Sequence, residues 1–319
     1  MVGREDMDAT PSANNVLPPA ATFPNVDLFL HERSASVGRQ SHQSRMSVFL
    51  AVVQVQAVLS PGFRHAVQHL MDRPQIFRAA PDLDALTNVQ IPRSDGGNLA
   101  AFAARPSHSD SGALPILLVI HEFFGLTDSV VAKAQAYADE LGCLAIAPDT
   151  FRGTTTSFIP KAIWLALSTP QERVDSDLDD VVGWASDQPG IDATRVGVLG
   201  FCYGGGKALR YVAGTRPDAA SVIFYGNPLT RAEDLAALRA PVCGVFGQLD
   251  PQIPPPLVDG FRRALAAAGV QHEVVAYEGV GHAFWSDVQQ IEREEMPQLA
   301  AWRLTTNFLR TFFESAEGR

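Results

Sequence analysis

The sequence predicts an α/β fold, with a mostly parallel central sheet covered by helices on both faces. From about residue 86 onward, short continuous apolar runs alternate with amphipathic segments, a pattern typical of parallel strands joined by helices. Hydrophobic residues make up 46% of the 319 positions and charged residues 19%, so the chain can bury a large core. We expect one such domain over residues 81–319.

Residues 1–80 are predicted to be an N-terminal extension that is disordered or partly helical. Their first half is rich in Pro, Ser, Asn and Arg and shows no hydrophobic period. The apolar run Ser47–Ser60 is interrupted by two glutamines and is shorter than the roughly 18 residues that a membrane span needs. His65 and His69 have helical spacing but no HExxH pattern, which indicates a polar helix face. We therefore expect no membrane association.

The predicted domain begins with a hairpin. Val89–Pro92 and Leu99–Ala104 flank Asp95-Gly96-Gly97, which is a turn sequence. After the hairpin, continuous apolar runs predict strands and apolar residues at helical spacing predict helices. The strands are Leu114–Ile120, Cys143–Ala147, Val196–Leu199, Ala220–Tyr225, Val242–Phe246 and Glu273–Tyr277, and the helices are Asp128–Leu141, Gln171–Ser186, Tyr203–Ala213, Val258–Ala268 and Pro297–Phe313.

Charge and cysteine content exclude several kinds of partner. The net charge of -10 argues against nucleic acid, because a phosphate backbone is bound through Lys and Arg. The cysteines are Cys143, Cys202 and Cys243, an odd number without a CxxC pair, so we expect no metal site, no disulfide framework and a cytoplasmic location. Cys143 and Cys243 lie in apolar runs, where a buried, inert thiol is expected.

A glycine-rich turn places Cys202 between a strand and a helix. Residues 200–204 read Gly-Phe-Cys-Tyr-Gly, the pattern of a nucleophile elbow with cysteine in place of serine. A sulfur at a helix N-terminus is favoured as the thiolate, and the next amide, that of Tyr203, is placed to bind an oxyanion. The alternative is an ordinary strand-to-helix turn that contains a buried, inert cysteine.

Two further residues fall where an acyl-transfer triad needs them. Asp250 follows the apolar run Val242–Phe246, and His282 follows Glu273–Tyr277. Sites in open α/β sheets are built at the carboxyl ends of strands, and the order nucleophile, acid, histidine is the one expected after such an elbow. We therefore predict a Cys202–Asp250–His282 triad, although, taken singly, an Asp in a turn is usually a turn residue and a loop His is usually solvated.

The segment from about Leu86 to Phe313 resembles the dienelactone hydrolases (carboxymethylenebutenolidases), which have the α/β-hydrolase fold. The resemblance depends on the elbow, on the triad order and on His121-Glu122-Phe123-Phe124-Gly125, which follows the first long apolar run. It implies a cysteine hydrolase that opens a small ester or lactone through an acyl-enzyme and needs no metal or organic cofactor. The oligomeric state is expected to be a monomer or a small homo-oligomer.

The resemblance also implies roles for residues near the sulfur. Glu122 would be a buried carboxylate that keeps the resting thiol protonated and assists its ionisation, although a helix cap is the alternative for this residue. The Phe123 amide would be the second oxyanion donor beside that of Tyr203. Arg152 would bind a substrate carboxylate.

The chain departs from the family pattern at the substrate arginines. Arg152 comes directly after Phe151 instead of further along, and Ser286 stands where the family has a second arginine. Two alternatives therefore stay open. One is a general carboxylesterase or thioesterase on the same scaffold, and the other is a non-catalytic relative that only binds a ligand.

Overall fold

The computed structural model describes residues 82–108 and 112–316. The predicted extension over residues 1–80 lies outside this part of the chain. The described residues form an eight-stranded sheet in the order β1-β2-β4-β3-β5-β6-β7-β8, in which β1 and β2 are antiparallel to their neighbours and all other pairs are parallel. The strands are β1 (Val89–Pro92), β2 (Asn98–Ala104), β3 (Leu114–Ile120), β4 (Leu144–Pro148), β5 (Ile191–Phe201), β6 (Ala220–Phe224), β7 (Val242–Gly247) and β8 (His272–Tyr277).

Helices connect the parallel strands and cover both faces of the sheet. Besides a short 3-10 helix at Ala232–Leu235, they are α1 (Leu83–Leu86), α2 (Asp128–Leu141), α3 (Ile159–Ser168), α4 (Gln171–Ser186), α5 (Tyr203–Gly214), α6 (Pro255–Ala267), α7 (Gln289–Glu292) and α8 (Gln298–Ala316). None of the helices in the described ranges is long and apolar enough to span a membrane.

The continuous apolar strands are explained by burial on both sides. All seven residues of β3 are buried, and they alternate between two cores. Ile116 and Leu118 join the core beneath α4, α5 and α6, while Leu117 and Val119 join the core beneath α2 and α8. Such two-sided burial is what the sequence pattern predicts for a parallel sheet.

The predicted elements are present, and their ends differ by a few residues at most, except at the start of β5. β5 begins at Ile191, five residues before the expected start, because Ile191 and Asp192 pair with Leu114 and Pro115 at the start of β3. The helices α1, α3 and α7 and the 3-10 helix were not predicted. The apolar residues of α3 are divided between buried Leu165 and exposed Trp164 and Leu167, so no clean apolar stripe marks it.

Candidate active site

Cys202 lies on the strained turn between β5 and α5. Its φ of 52° and ψ of -112° are unusual for a residue with a side chain, and its amide donates to the Phe224 carbonyl (2.9 Å). The turn closes only because Gly200 and Gly204 meet without side chains. A Cβ on Gly200 would lie 2.1 Å from the Gly204 carbonyl oxygen. Strain of this kind is typical of a functional position, because the surrounding structure must maintain it.

The sulfur of Cys202 lies at the end of a chain of short contacts. Its Sγ is 3.0 Å from His282 Nε2, and His282 Nδ1 is 2.7 Å from Asp250 Oδ2. The other oxygen of Asp250 accepts the backbone amides of Gln252 (2.8 Å) and Ile253 (3.1 Å). These bonds fix the carboxylate, which in turn orients the imidazole ring.

The surroundings of His282 favour its protonated form. Burial lowers its pKa, but the hydrogen bonds to Asp250 and Cys202, together with their charges, outweigh burial and raise the pKa to about 10. The imidazole is therefore a strong acceptor for a proton at Nε2, the nitrogen that faces Cys202 Sγ. The other two thiols differ, since burial raises the pKa of Cys143 and of Cys243 far above the usual value for cysteine.

Two amides next to this cluster are free to bind an anion. Tyr203 is the first residue of α5, so its N–H has no partner within the helix. Within the described ranges, neither the Tyr203 nor the Phe123 amide donates a hydrogen bond. The sequence prediction named both as oxyanion donors, and this arrangement is compatible with that role.

His121 orients the peptide bond that carries the Phe123 amide. Its Nδ1 lies 2.7 Å from the Glu122 carbonyl oxygen, which also accepts the Gly125 amide (3.1 Å). Because the carbonyl and N–H groups of a trans peptide point in opposite directions, a fixed Glu122 carbonyl fixes the Phe123 N–H.

His121 is the neutral tautomer with its proton on Nδ1. The backbone amide of Thr150, which can only donate, points at His121 Nε2 (3.2 Å), so this nitrogen must be an acceptor. Burial lowers the pKa of His121, which agrees, and the 3.9 Å approach of Asp149 is therefore not an ion pair. Sequence reasoning gave His121 no role, although its position directly before Glu122 was a usable signal.

Glu122 contacts Tyr225 in a partly buried position. The Tyr225 hydroxyl lies 3.2 Å from Glu122 Oε1 and 3.3 Å from the Trp285 carbonyl oxygen. The ring of Tyr225 is 5.2 Å from that of His282, so the tyrosine lies between the glutamate and the histidine loop. The structure thus places the predicted Glu122 side chain beside the cluster, with a partner that the sequence did not indicate.

Arg152 has carboxylate partners within the protein. Its guanidinium binds Asp177 (2.6 Å for the shortest contact) and Asp95 (2.8 Å). Only 22% of the side chain is exposed, and Asp177 is fully buried. These contacts use its donors for internal ion pairs, which does not favour the predicted binding of a substrate carboxylate. Ser286, at the second arginine position, is exposed and hydrogen-bonds Asp287 and Gln290.

The described residues contain no group of three or more His, Cys, Asp or Glu side chains that could hold a metal ion. The groups that the described residues bring together are a thiol, an imidazole and carboxylates from side chains, and two backbone amides. This set can perform nucleophilic acyl transfer.

Comparisons with known proteins show which family this chain is similar to. The model of the dienelactone hydrolase family matches residues 99–313. An Escherichia coli O157:H7 protein that carries the name carboxymethylenebutenolidase is 38% identical over 208 residues, which cover 61% of this chain and 76% of that protein. A Methylorubrum extorquens protein of the same name is 30% identical over 291 residues, which cover 87% of this chain and 96% of that protein.

A solved structure shows the same likeness in three dimensions. The crystal structure described as a dienelactone hydrolase from Klebsiella pneumoniae superposes with a TM-score of 0.60 at 31% identity, and the match covers 69% of this chain and 96% of that chain. The family model spans most of the described residues, including every element that carries the site. The chain therefore belongs to the dienelactone hydrolase family, carboxylic ester hydrolases with the α/β-hydrolase fold.

Proposed function

We propose that this chain hydrolyses small carboxylic esters or lactones by nucleophilic catalysis at Cys202. The observation that carries the proposal is the continuous contact from Cys202 Sγ through His282 to Asp250, with distances of 3.0 and 2.7 Å. This is the geometry in which a histidine can take a proton from a nucleophile while a carboxylate holds the correct ring orientation.

The reaction proceeds in two steps. The Cys202 proton passes to His282 Nε2, and the thiolate attacks the carbonyl carbon of the substrate. The tetrahedral intermediate collapses when the carbon–oxygen bond of the leaving group breaks, and His282 gives its proton to the departing alkoxide. In a lactone this alkoxide stays attached, so the ring opens. Water, activated by the now neutral His282, then releases the carboxylic acid and restores the thiol.

The negative charge on the intermediate is bound by the Phe123 and Tyr203 amides. Such preorganised donors typically contribute about 10²–10³-fold to the rate each. Glu122 lies on the same side, next to Tyr225, where its carboxylate opposes thiolate formation in the resting enzyme. No cofactor takes part in these steps.

The test is the release of p-nitrophenol from p-nitrophenyl acetate by the wild type and by Cys202→Ala. We expect many turnovers from the wild type and a loss of about 10³-fold or more in the variant, because the residual rate comes from binding and the oxyanion donors alone. Cys243→Ala is the matched control, since it removes a buried thiol away from the cluster and should keep its activity. Equal release by the wild type and Cys202→Ala would refute the nucleophile and favour a ligand-binding role.

A general carboxylesterase or thioesterase is the second candidate, and the ion pairs of Arg152 favour it. A guanidinium held by Asp177 and Asp95 is poorly placed to select substrates that carry a carboxylate. Substrate preference distinguishes a dienelactone-like hydrolase from a general esterase or thioesterase. The measurement is kcat/KM for neutral esters, thioesters and lactones, compared with kcat/KM for lactones that carry a carboxylate. A marked preference for the charged lactones would support a dienelactone-like substrate, and the reverse preference would support the general esterase.

A further inference from the structure

The loop that carries His282 depends on side chains for its hydrogen bonds. Residues 278–288, here called the histidine loop, connect β8 to α7 and form neither a helix nor a strand. Within the described ranges, no backbone amide donates to the carbonyls of residues 284–286. Ala283, directly after His282, has a φ of 54°, in the left-handed region that residues with a side chain rarely adopt. A loop of this kind keeps its shape only if its surroundings hold it.

Three side chains from the helices α2 and α8 donate hydrogen bonds to these successive carbonyls. The donors and their acceptors are Gln298 Nε2 and the Phe284 carbonyl (2.8 Å), Lys133 Nζ and the Trp285 carbonyl (2.9 Å), and the Ser129 hydroxyl and the Ser286 carbonyl. The backbone that follows His282 is thus tied to these two helices at three consecutive positions.

Lys133 is the most costly of these donors to bury. Only 1% of its surface is exposed, and burying an ammonium group is unfavourable unless its charge and its N–H groups are satisfied. An apolar residue of the same length would fill the space without this cost. The presence of Lys133 at this position is therefore best explained by a role that needs its amino group.

The amino group of Lys133 also contacts the strand that leads to Cys202. Its Nζ lies 4.4 Å from the ring centroid of Phe201 and 5.0 Å from that of Trp285, distances at which aromatic faces attract a cation. Phe201 directly precedes Cys202. Trp285 comes three residues after His282. Lys133 therefore joins the two segments whose separation places Cys202 Sγ 3.0 Å from His282 Nε2.

Gln298 gives independent support for a held loop. It is 7% exposed, and its Oε1 is buried without a hydrogen-bond partner among the described residues. An unsatisfied buried oxygen is unfavourable. The bond from Nε2 to the Phe284 carbonyl is what offsets this cost, because a carbonyl can only accept and the amide nitrogen is the donor.

We propose that Lys133 is a positioning residue: its amino group binds the Trp285 carbonyl and the Phe201 ring at once. It thereby sets where His282 lies relative to Cys202. The donors beside it, from α2 and α8, hold the two neighbouring carbonyls of the histidine loop. The inference rests on the proposed function, in which His282 takes the proton of Cys202. No step of that reaction passes through the lysine, so its effect is on geometry alone.

The first measurement is the NMR chemical shift of the His282 ring nitrogens in protein labelled at histidine. These signals are assigned by their loss in His282→Ala. We expect Lys133→Met, which keeps the length of the side chain and removes its donors, to move them towards the values of an exposed histidine. Gln298→Leu should move them in the same direction, and it serves if Lys133→Met does not fold.

Gln135→Leu is the matched control for these variants. Gln135 also lies on α2, but it donates to the Arg105 carbonyl (3.3 Å) and to Asp139 (3.1 Å) instead of to the histidine loop. Its ring-nitrogen shifts should equal those of the wild type, and melting temperatures show whether each variant is folded. Shifts that are equal in the wild type and in both loop variants would overturn the inference and leave the lysine a packing residue.

Kinetics on p-nitrophenyl acetate give a second readout. Lys133→Met should lower kcat by about 10²-fold with little change in KM, the size expected when a catalytic group is displaced by about 1 Å. In a His282→Ala background the same substitution should have no further effect, because residues that act as a unit are not additive. Equal factors in both backgrounds would refute a role that acts through His282. The ring-nitrogen shifts do not depend on turnover, so they test the inference even if Cys202→Ala refutes the proposed reaction.

Discussion

At the scale of single residues, His121 affects the site through its hydrogen bonds and not through a charge. Its ring joins the Glu122 carbonyl to Thr150, with contacts of 2.7 Å and 3.2 Å, and is itself fully buried. A neutral imidazole with one donor and one acceptor satisfies both partners at once. The direction of the Phe123 N–H therefore depends on a fully buried side chain.

This dependence gives a prediction for His121. His121→Phe should lower kcat by about 10²-fold with little change in KM, because an oxyanion donor acts in the transition state. His121→Asn should retain more activity, since its amide nitrogen can still donate to the Glu122 carbonyl. Steady-state kinetics on p-nitrophenyl acetate, with melting temperatures as the control for folding, checks both variants. Equal kcat values for the wild type and His121→Phe would show that the peptide bond between Glu122 and Phe123 keeps its orientation without the imidazole ring.

At the scale of elements, the close approach of β5 and α5 places Cys202, the proposed nucleophile. Gly204 lies so close to the end of β3 that a Cβ there would be 2.3 Å from the Ile120 carbonyl oxygen and 2.6 Å from that of His121. Backbone atoms on both sides cannot move without shifting a buried strand. The elbow thus sets the distance between the Cys202 sulfur, which follows β5, and the loop after β3 that carries the Phe123 amide.

A pair of glycine substitutions tests this packing. Gly204→Ala should lower the free energy of unfolding by about 3 kcal/mol or prevent folding, the upper end of the cost of overpacking. Gly183→Ala is the matched control in helix α4, where nothing lies within 4 Å of the added methyl group. It should stabilise the protein by about 0.5–1 kcal/mol. Urea unfolding of both variants measures these changes, and a Gly204→Ala protein of normal stability would contradict the close approach.

At the scale of the whole molecule, Arg152 ties together three segments that are distant in sequence. It follows β4, Asp177 lies on α4, and Asp95 lies in the turn between β1 and β2. Burial raises the pKa of Asp177, and its bonds to Arg152 oppose this effect. The buried carboxylate therefore needs the arginine as its partner.

Arg152→Ala is therefore expected to affect stability more than catalysis. It should lower the free energy of unfolding by about 2–4 kcal/mol, less than for a fully buried pair, because 22% of the arginine side chain is exposed. Adding Asp177→Asn should recover part of the loss, since a neutral amide tolerates burial without a cation. Urea unfolding measures the free energy of unfolding of Arg152→Ala and of the double variant. A different outcome is that stability is unchanged and that KM rises only for substrates that carry a carboxylate. This outcome would support Arg152 as a substrate-binding residue.

The sequence alone determined the fold class, most element boundaries and the positions of Cys202, Asp250 and His282 next to strand ends. Local sequence patterns predict these features. Apolar runs mark strands that are buried on both faces, and glycines around Cys202 mark a turn that tolerates no side chains. Chain order then brings Asp250 and His282 to strand ends on one edge of the sheet.

The tertiary structure alone decided how the charged and polar side chains are paired. Arg152 meets Asp95 across 57 residues, and Lys133 meets the Trp285 carbonyl across 152. No local pattern encodes such contacts, because a charged residue has the same sequence signature whether it faces solvent, a substrate or a buried partner. Only the packing of α2 and α4 against the sheet determines which of these partners is within reach.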